Sequence, residues 1–69
     1  MRKLKIKKTK WYLVKATEDG YAYVIPREFR TWSEAFRYSS ERKLMFNGFT
    51  GIKGKDILNL KRLKVKILK

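Results

Sequence analysis

The sequence predicts a small α+β domain in which one α-helix packs on one face of a small antiparallel sheet. Three observations support this fold class: apolar and polar residues alternate in several short stretches, an Asp-Gly pair lies early in the chain, and a helix-capping pattern lies near its middle. The 69 residues suffice for one basic domain spanning 1–69. With 43% hydrophobic and 14% aromatic residues, the chain has enough apolar side chains to form a core.

An N-terminal hairpin is the first predicted element. Residues 3–17 favour a strand with a break near 8–10, and residues 21–25 favour a second strand. Asp19-Gly20 between them suits a two-residue type I′ turn, because both central residues of that turn need a positive φ. The two strands are therefore expected to pair directly.

The central helix is predicted over residues 32–43. Thr31 and Glu34 form a capping box, in which the threonine side chain accepts from a backbone N–H near Glu34 and the glutamate reaches back. One face of this helix recurs at helical spacing and comprises Trp32, Ala35, Phe36 and Ser39. The aromatic side chains expected in the core are Trp32, Phe36, Phe46 and Phe49.

The C-terminal third is predicted to complete the sheet. Residues 44–50 favour a second short hairpin around Asn47-Gly48, and Asp56 favours the start of a short helical turn. Residues 63–67 alternate with period two and favour a final strand. Since one helix covers only one face of the sheet, the other face is expected to be solvated or covered by a partner.

The turn length decides which face of the hairpin is buried. A two-residue turn places Tyr21 and Tyr23 on the face of Tyr12, which then carries more apolar bulk and becomes the core face. Trp11 would point outward among lysines. A bulge near Lys8 would reverse this assignment and put Trp11 in the core.

The charge distribution indicates a polyanionic partner. Nineteen Lys/Arg against six Asp/Glu give a net charge of +13, whereas solubility needs roughly 2–8. Six basic residues lie within 1–10 and five within 61–69, while all six acids lie between 18 and 56. Lysines on edge strands also prevent aggregation, but that role explains a few residues better than so many.

Nucleic acid is the predicted partner, with DNA slightly favoured over RNA. Lysines would neutralise phosphates and an exposed tryptophan would stack on a base. A cationic sheet can lie in a DNA major groove, and no aromatic RNP pattern is present. The predicted contacts are Lys3, Lys5, Lys7, Trp11, Lys15, Arg62, Lys64 and Lys66. A secondary basic surface comprises Arg30, Arg37, Arg42 and Lys43. Two of these, Arg37 and Arg42, could instead pair on the solvated helix face with Glu34, Glu41 or Tyr38.

The composition argues against catalysis. Without histidine or cysteine, the chain lacks the usual general base near neutral pH, thiolate chemistry and Cys-based zinc sites. Its six carboxylates show no metal-ligand spacing, so no enzyme, metal or cofactor is expected.

The alternative function is a protein–protein interaction module or inhibitor that binds an acidic protein or nucleoprotein. A cluster of exposed aromatic residues with few lysines among them would favour it. The longest N-terminal apolar run, 11–14, is too short for a signal or membrane segment, so no membrane contact and a cytoplasmic location are expected. The domain is expected to be a monomer or a weak homodimer, since edge strands could pair.

Overall fold

The computed structural model describes residues 5–60 and 63–68, so the predicted contacts Lys3 and Arg62 lie outside the described residues. Four strands form one sheet in the order β3-β1-β2-β4. In chain order the elements are β1 (Trp11–Ala16), β2 (Tyr21–Val24), α1 (Trp32–Glu41), a 3-10 turn (Leu44–Asn47), β3 (Thr50–Lys53), α2 (Gly54–Leu58) and β4 (Lys64–Ile67). The predicted small α+β domain with one main helix on a sheet is confirmed.

The sheet is mixed, whereas an antiparallel sheet was predicted. Strand β1 pairs antiparallel with both β2 and β3, and β4 pairs parallel with β2. A parallel pair needs a long crossover connection, which here consists of α1, β3 and α2. The C-terminal strand, predicted over 63–67, is present as β4 and forms one edge of the sheet.

The first hairpin has a three-residue loop, Glu18–Gly20. The Thr17 N–H donates to the Tyr21 carbonyl over 2.9 Å, and the Gly20 N–H donates to the Thr17 carbonyl over 3.2 Å. Gly20 has a φ of 88°, which completes a type I turn with a glycine bulge. The predicted two-residue turn is therefore wrong by one residue.

That extra residue reverses the predicted face of β2. Lys15 pairs with Tyr23, and Val14 pairs with Val24. Because neighbouring side chains along a strand point to opposite faces, Tyr21 and Tyr23 lie on the side of Lys15 and not on the side of Tyr12.

Strand β1 is buried on both faces. On one side a core cluster of Tyr12, Val14, Ala22, Val24 and Ile57 is covered by α2 and by flanking side chains such as Ile6 and Leu60. The predicted core face of Tyr12 is therefore covered by the short α2, which begins at Gly54 and not at Asp56 as predicted. The face of Trp11, which was expected to be solvated, is the one on which α1 packs. On the other side, Leu13, Phe29 and Ala35 form a second cluster beneath α1.

The capping box that starts α1 is confirmed. The Thr31 side chain accepts from the Glu34 N–H over 3.2 Å, and the Glu34 carboxylate accepts from the Arg30 N–H over 3.1 Å. The loop before the helix is joined to β1, since Trp11 and Phe29 exchange two backbone hydrogen bonds of 2.8 and 2.9 Å. These contacts fix where α1 crosses the sheet.

The second predicted hairpin, 44–50, is not formed. The chain reverses after α1 at Lys43, which has a left-handed φ of 57°, and then makes the 3-10 turn. The Phe49 N–H donates to the Leu44 carbonyl over 3.3 Å, so the turn closes before any strand pairing begins. Strand β3 begins only at Thr50, and its partner is β1.

Candidate nucleic-acid interface

Part of the sheet face on the α1 side is left uncovered by the helix. Helix α1 lies over β1 and β3, which form the other half of the sheet. Strand pairing places Lys64 beside Tyr21 and Lys66 beside Tyr23 on this side. We call this surface the Lys–Tyr face, and it comprises Lys15, Tyr21, Tyr23, Lys64 and Lys66.

Aromatic rings and cations alternate across the Lys–Tyr face. The ring centroids of Tyr21 and Tyr23 lie 6.0 Å apart, and the Lys66 Nζ lies 4.5 Å from the Tyr21 centroid. Both tyrosines are half-buried, while Lys64 and Lys66 are exposed. An ammonium group over a ring is attracted by its negative π-face. The face therefore holds its lysines beside rings that are still partly accessible.

A second cation–aromatic group lies on α1. The guanidinium carbons of Arg42 and Arg27 lie 4.1 and 4.7 Å from the Tyr38 ring centroid. The Tyr38 ring also lies 5.3 Å from that of Phe29, which joins it to the cluster under α1. Arg42 belongs to the predicted secondary surface, and it stacks on Tyr38 instead of pairing with an acid. Tyr38 was one of the partners that the sequence allowed for Arg42, and its i, i+4 spacing from Arg42 is the reason that the two side chains meet.

The N-terminal lysines do not join the Lys–Tyr face. Strand β1 begins at Trp11 because residues 7–10 form a turn, in which the Lys10 N–H donates to the Lys7 carbonyl over 3.2 Å. The Lys7 N–H donates to the Tyr12 hydroxyl over 2.9 Å, so this segment lies on the α2 side. Lys5 and Lys7 are exposed, but they do not form one surface with Lys15, although the sequence predicted all three as contacts of the same ligand.

The sequence predicted that Trp11 points outward among lysines, but the side chain does not stand free between Lys7 and Lys15. It is half-buried and packs against the cluster of Leu13, Phe29 and Ala35. The alternative that placed Trp11 in the core was nearer to the structure. Stacking of a base on Trp11 stays a prediction.

Most basic side chains of the described residues carry no acid partner. Across 5–60 and 63–68, the single ion pair joins Lys7 Nζ to Glu28 Oε1 over 3.4 Å. The predicted secondary surface is exposed throughout, at Arg30, Arg37, Arg42 and Lys43. The positive charge of this part of the chain is thus largely free to attract an external anion.

Several aromatic residues expected in the core are exposed. Phe46 is 81% exposed, Trp32 47% and Phe36 42%, and only Phe49 is partly buried against the core. Helix α1 instead presses its small residues Ala35 and Ser39 against the sheet. Helical spacing identified the correct stripe of α1, but it did not show which part of that stripe touches the sheet.

Comparison of the chain with protein-family models, with curated protein sequences and with solved structures gives no match. Within the described residues, no helix combines the length and the apolar character needed to cross a membrane.

Proposed function

We propose that this domain binds nucleic acid, DNA or RNA, through the Lys–Tyr face. Phosphates lie against Lys15, Lys64 and Lys66, and unpaired bases lie against Tyr21 and Tyr23. The observation that carries the proposal is the Lys66 ammonium held over the Tyr21 ring, next to Tyr23, on an uncovered sheet face.

The electrostatics support a polyphosphate ligand. Lys64 and Lys66 project from the same side of one edge strand, where their like charges repel each other. A phosphate backbone relieves that repulsion and releases its own counterions, which makes binding favourable and dependent on salt. The net charge of +13 adds long-range attraction for any such ligand.

The tyrosines favour single-stranded segments. Bases inside a duplex are stacked on each other, whereas an unpaired base can stack on an aromatic side chain. Every base has a π-face, so such contacts discriminate weakly between sequences. The absence of an aromatic RNP pattern still slightly favours DNA over RNA, so single-stranded DNA is the first ligand to test.

The test is fluorescence anisotropy of labelled single-stranded DNA, RNA and duplex DNA, in salt from about 50 to about 300 mM. We expect single strands to bind more tightly than duplex, with log K falling linearly against log salt. Tyr21→Leu keeps the apolar contact but removes the aromatic face, and should cost roughly 1–3 kcal/mol of binding if a base stacks there.

Lys66→Gln tests the phosphate contact, and Lys55→Gln is its matched control. Lys55 is an exposed lysine on α2, which covers the opposite side of the sheet. We expect Lys66→Gln to reduce the salt slope by about 1, while Lys55→Gln leaves it unchanged. Equal effects of the two variants, or inorganic polyphosphate competing as well as the oligonucleotides, would contradict the proposal.

The alternative predicted from the sequence, an acidic protein partner, is favoured by a different surface, on the other flank of α1.

A further inference from the structure

A groove runs between α1 and strand β3, beside the edge of the sheet. Its volume is about 140 Å³, and its walls include Trp32, Phe36, Met45 and Phe49. Three of these side chains are substantially exposed, Trp32 at 47%, Phe36 at 42% and Met45 at 40%. Contiguous exposed apolar side chains of this kind mark interaction sites more often than ordinary surface.

The groove wall is held in place by close packing. The rings of Trp32 and Phe36 are stacked with centroids 5.1 Å apart and planes 20° apart. The Trp32 indole also lies directly on the β3 backbone, because a Cβ on Gly51 would be only 2.8 Å from the indole Cδ1. Any larger residue at this position would therefore push the indole outward, and with glycine the indole and Phe36 form a preorganised surface.

One buried polar atom in the groove lacks a partner. Ser39 is 2% exposed and contributes to the groove lining, and its Oγ has no hydrogen-bond partner among the described residues. An unsatisfied buried hydroxyl is unfavourable, because it has lost its hydrogen bonds to water without gaining others. A ligand that reaches into the groove with a hydrogen-bonding group would remove that penalty.

The charges around the groove specify the kind of ligand. The lining side chains carry no charge, but Arg37 follows Phe36 on α1 and Lys43 precedes the 3-10 turn. The Lys15 side chain lies alongside Gly48, within 3.6 Å of where a Cβ would be. A second copy of this chain would bring the same strongly positive field and be repelled.

We propose that the groove binds an acidic protein segment, which inserts an apolar side chain between Trp32 and β3. Carboxylates beside that side chain pair with the basic residues around the groove, which are Lys15, Arg37 and Lys43. A polar group of the segment hydrogen-bonds to Ser39 Oγ. This complementarity of charge around an apolar centre is the usual arrangement of specific interfaces. The site shares only Lys15 with the Lys–Tyr face and does not depend on the proposed nucleic-acid binding.

The experiment is a chemical-shift titration of the full isotope-labelled chain with three synthetic glutamate-rich peptides. Each peptide carries one central apolar residue, which is leucine, phenylalanine or tryptophan. We expect at least one peptide to shift the Trp32 indole N–H and the Gly51 amide in a saturable manner. A peptide with lysine in place of glutamate should not bind.

Phe36→Ser removes part of the groove wall, and Phe46→Ser is its control. Phe46 is more exposed than Phe36 but does not line the groove. We expect Phe36→Ser to weaken peptide binding by at least about tenfold, as for a central interface aromatic, and Phe46→Ser to leave it unchanged. If Phe36→Ser does not fold, Met45→Ser on the 3-10 turn replaces it in the comparison.

Four results would overturn the inference. The first is that no peptide shifts a groove signal, and the second is that the shifts are confined to the Lys–Tyr face, which would indicate charge attraction alone. The third is that the lysine peptide binds equally well, which would indicate unspecific apolar contact. The fourth is that the groove signals shift with protein concentration alone, which would indicate a second copy.

Single-stranded DNA binding by Phe36→Ser is measured in parallel, and we expect it to be unchanged, so that failure of one proposal is distinguishable from failure of the other.

Discussion

The two flanks of helix α1 differ in chemistry although they lie on the same side of one sheet. Over β2 and β4, aromatic rings alternate with lysines and the surface is open. Along β3, aromatic and apolar side chains enclose a groove whose lining carries no charge. The comparison shows that a single helix, by covering only half of a sheet face, leaves two surfaces that suit different ligands.

The largest effect is expected when the charge of two lysines on the Lys–Tyr face is reversed, because this change should affect mainly the ligand of one flank. Lys64→Glu combined with Lys66→Glu should abolish most binding of single-stranded DNA, by at least about 100-fold, because like charges facing phosphates cost several kcal/mol. Binding of the acidic peptide at the groove should weaken far less. Anisotropy with both labelled ligands measures the two effects.

The control for this double variant is Lys8→Glu combined with Lys55→Glu, which changes the net charge equally at two exposed lysines off the Lys–Tyr face. If the control loses as much DNA binding as the double variant, binding depends on total charge and the Lys–Tyr face is not a site.

The second-largest effect is expected for Gly51→Ala, which should change the groove and leave the Lys–Tyr face intact. Gly51→Ala places a Cβ about where the Trp32 indole now lies, so the indole must move outward. We expect a loss of about 1–3 kcal/mol in the free energy of unfolding, as for other overpacked positions, together with weaker peptide binding. Chemical denaturation measures the first and the peptide titration the second. Unchanged peptide affinity would show that Trp32 does not form part of the binding surface.

A smaller effect is expected for Ser39→Ala, which should raise the free energy of unfolding instead of lowering it. Ser39→Ala removes a buried hydroxyl that has no partner among the described residues, and alanine favours helix. We expect the free energy of unfolding to rise by about 1 kcal/mol, while peptide binding weakens. Ser40→Ala, at an exposed position one residue further, provides the reference for helix propensity alone. If Ser39→Ala destabilises the domain, the hydroxyl has a partner after all.

The smallest expected effect concerns the contact between the Arg42 guanidinium and the Tyr38 ring. Arg42→Gln removes a guanidinium that lies 4.1 Å from the Tyr38 centroid. We expect a loss of about 0.5–1 kcal/mol in the free energy of unfolding, which is the range of exposed cation–π contacts. Arg37→Gln, on another face of α1, should change stability less. Equal losses would assign the effect to net charge.

The fold could be predicted from the sequence where local chemistry decides it. The Thr31–Glu34 capping box, the helix that follows and the alternating strand 63–67 each depend on residues close in the chain, and each is present. The parallel pairing of β4 with β2 could not be predicted, because it depends on how α1, β3 and α2 pack between them.

The candidate surfaces were predicted only in part, and two errors explain most of the difference. Lys15, Lys64 and Lys66 were predicted and do share a face, but Tyr21 and Tyr23 were placed on the other one. Asp-Gly is compatible with both a two-residue and a three-residue loop, and the flanking packing chooses between them. Exposure of Trp32 and Phe36 was missed because periodicity does not reveal how closely α1 approaches the sheet.

The loop Glu18–Gly20 determines more than the local path of the chain. In the same sequence, a two-residue turn at Asp19-Gly20 would pair Glu18 with Tyr21 and shift β2 by one residue against β1. That shift would turn Tyr21 and Tyr23 to the side of Tyr12, and Ala22 and Val24 to the side of Lys15. The turn that residues 18–20 adopt therefore decides which side chains of β2 face a ligand, although the loop does not belong to the Lys–Tyr face. A substitution in the loop that changed the turn would exchange the ligand-facing and core-facing residues of β2 without changing any residue of the strand.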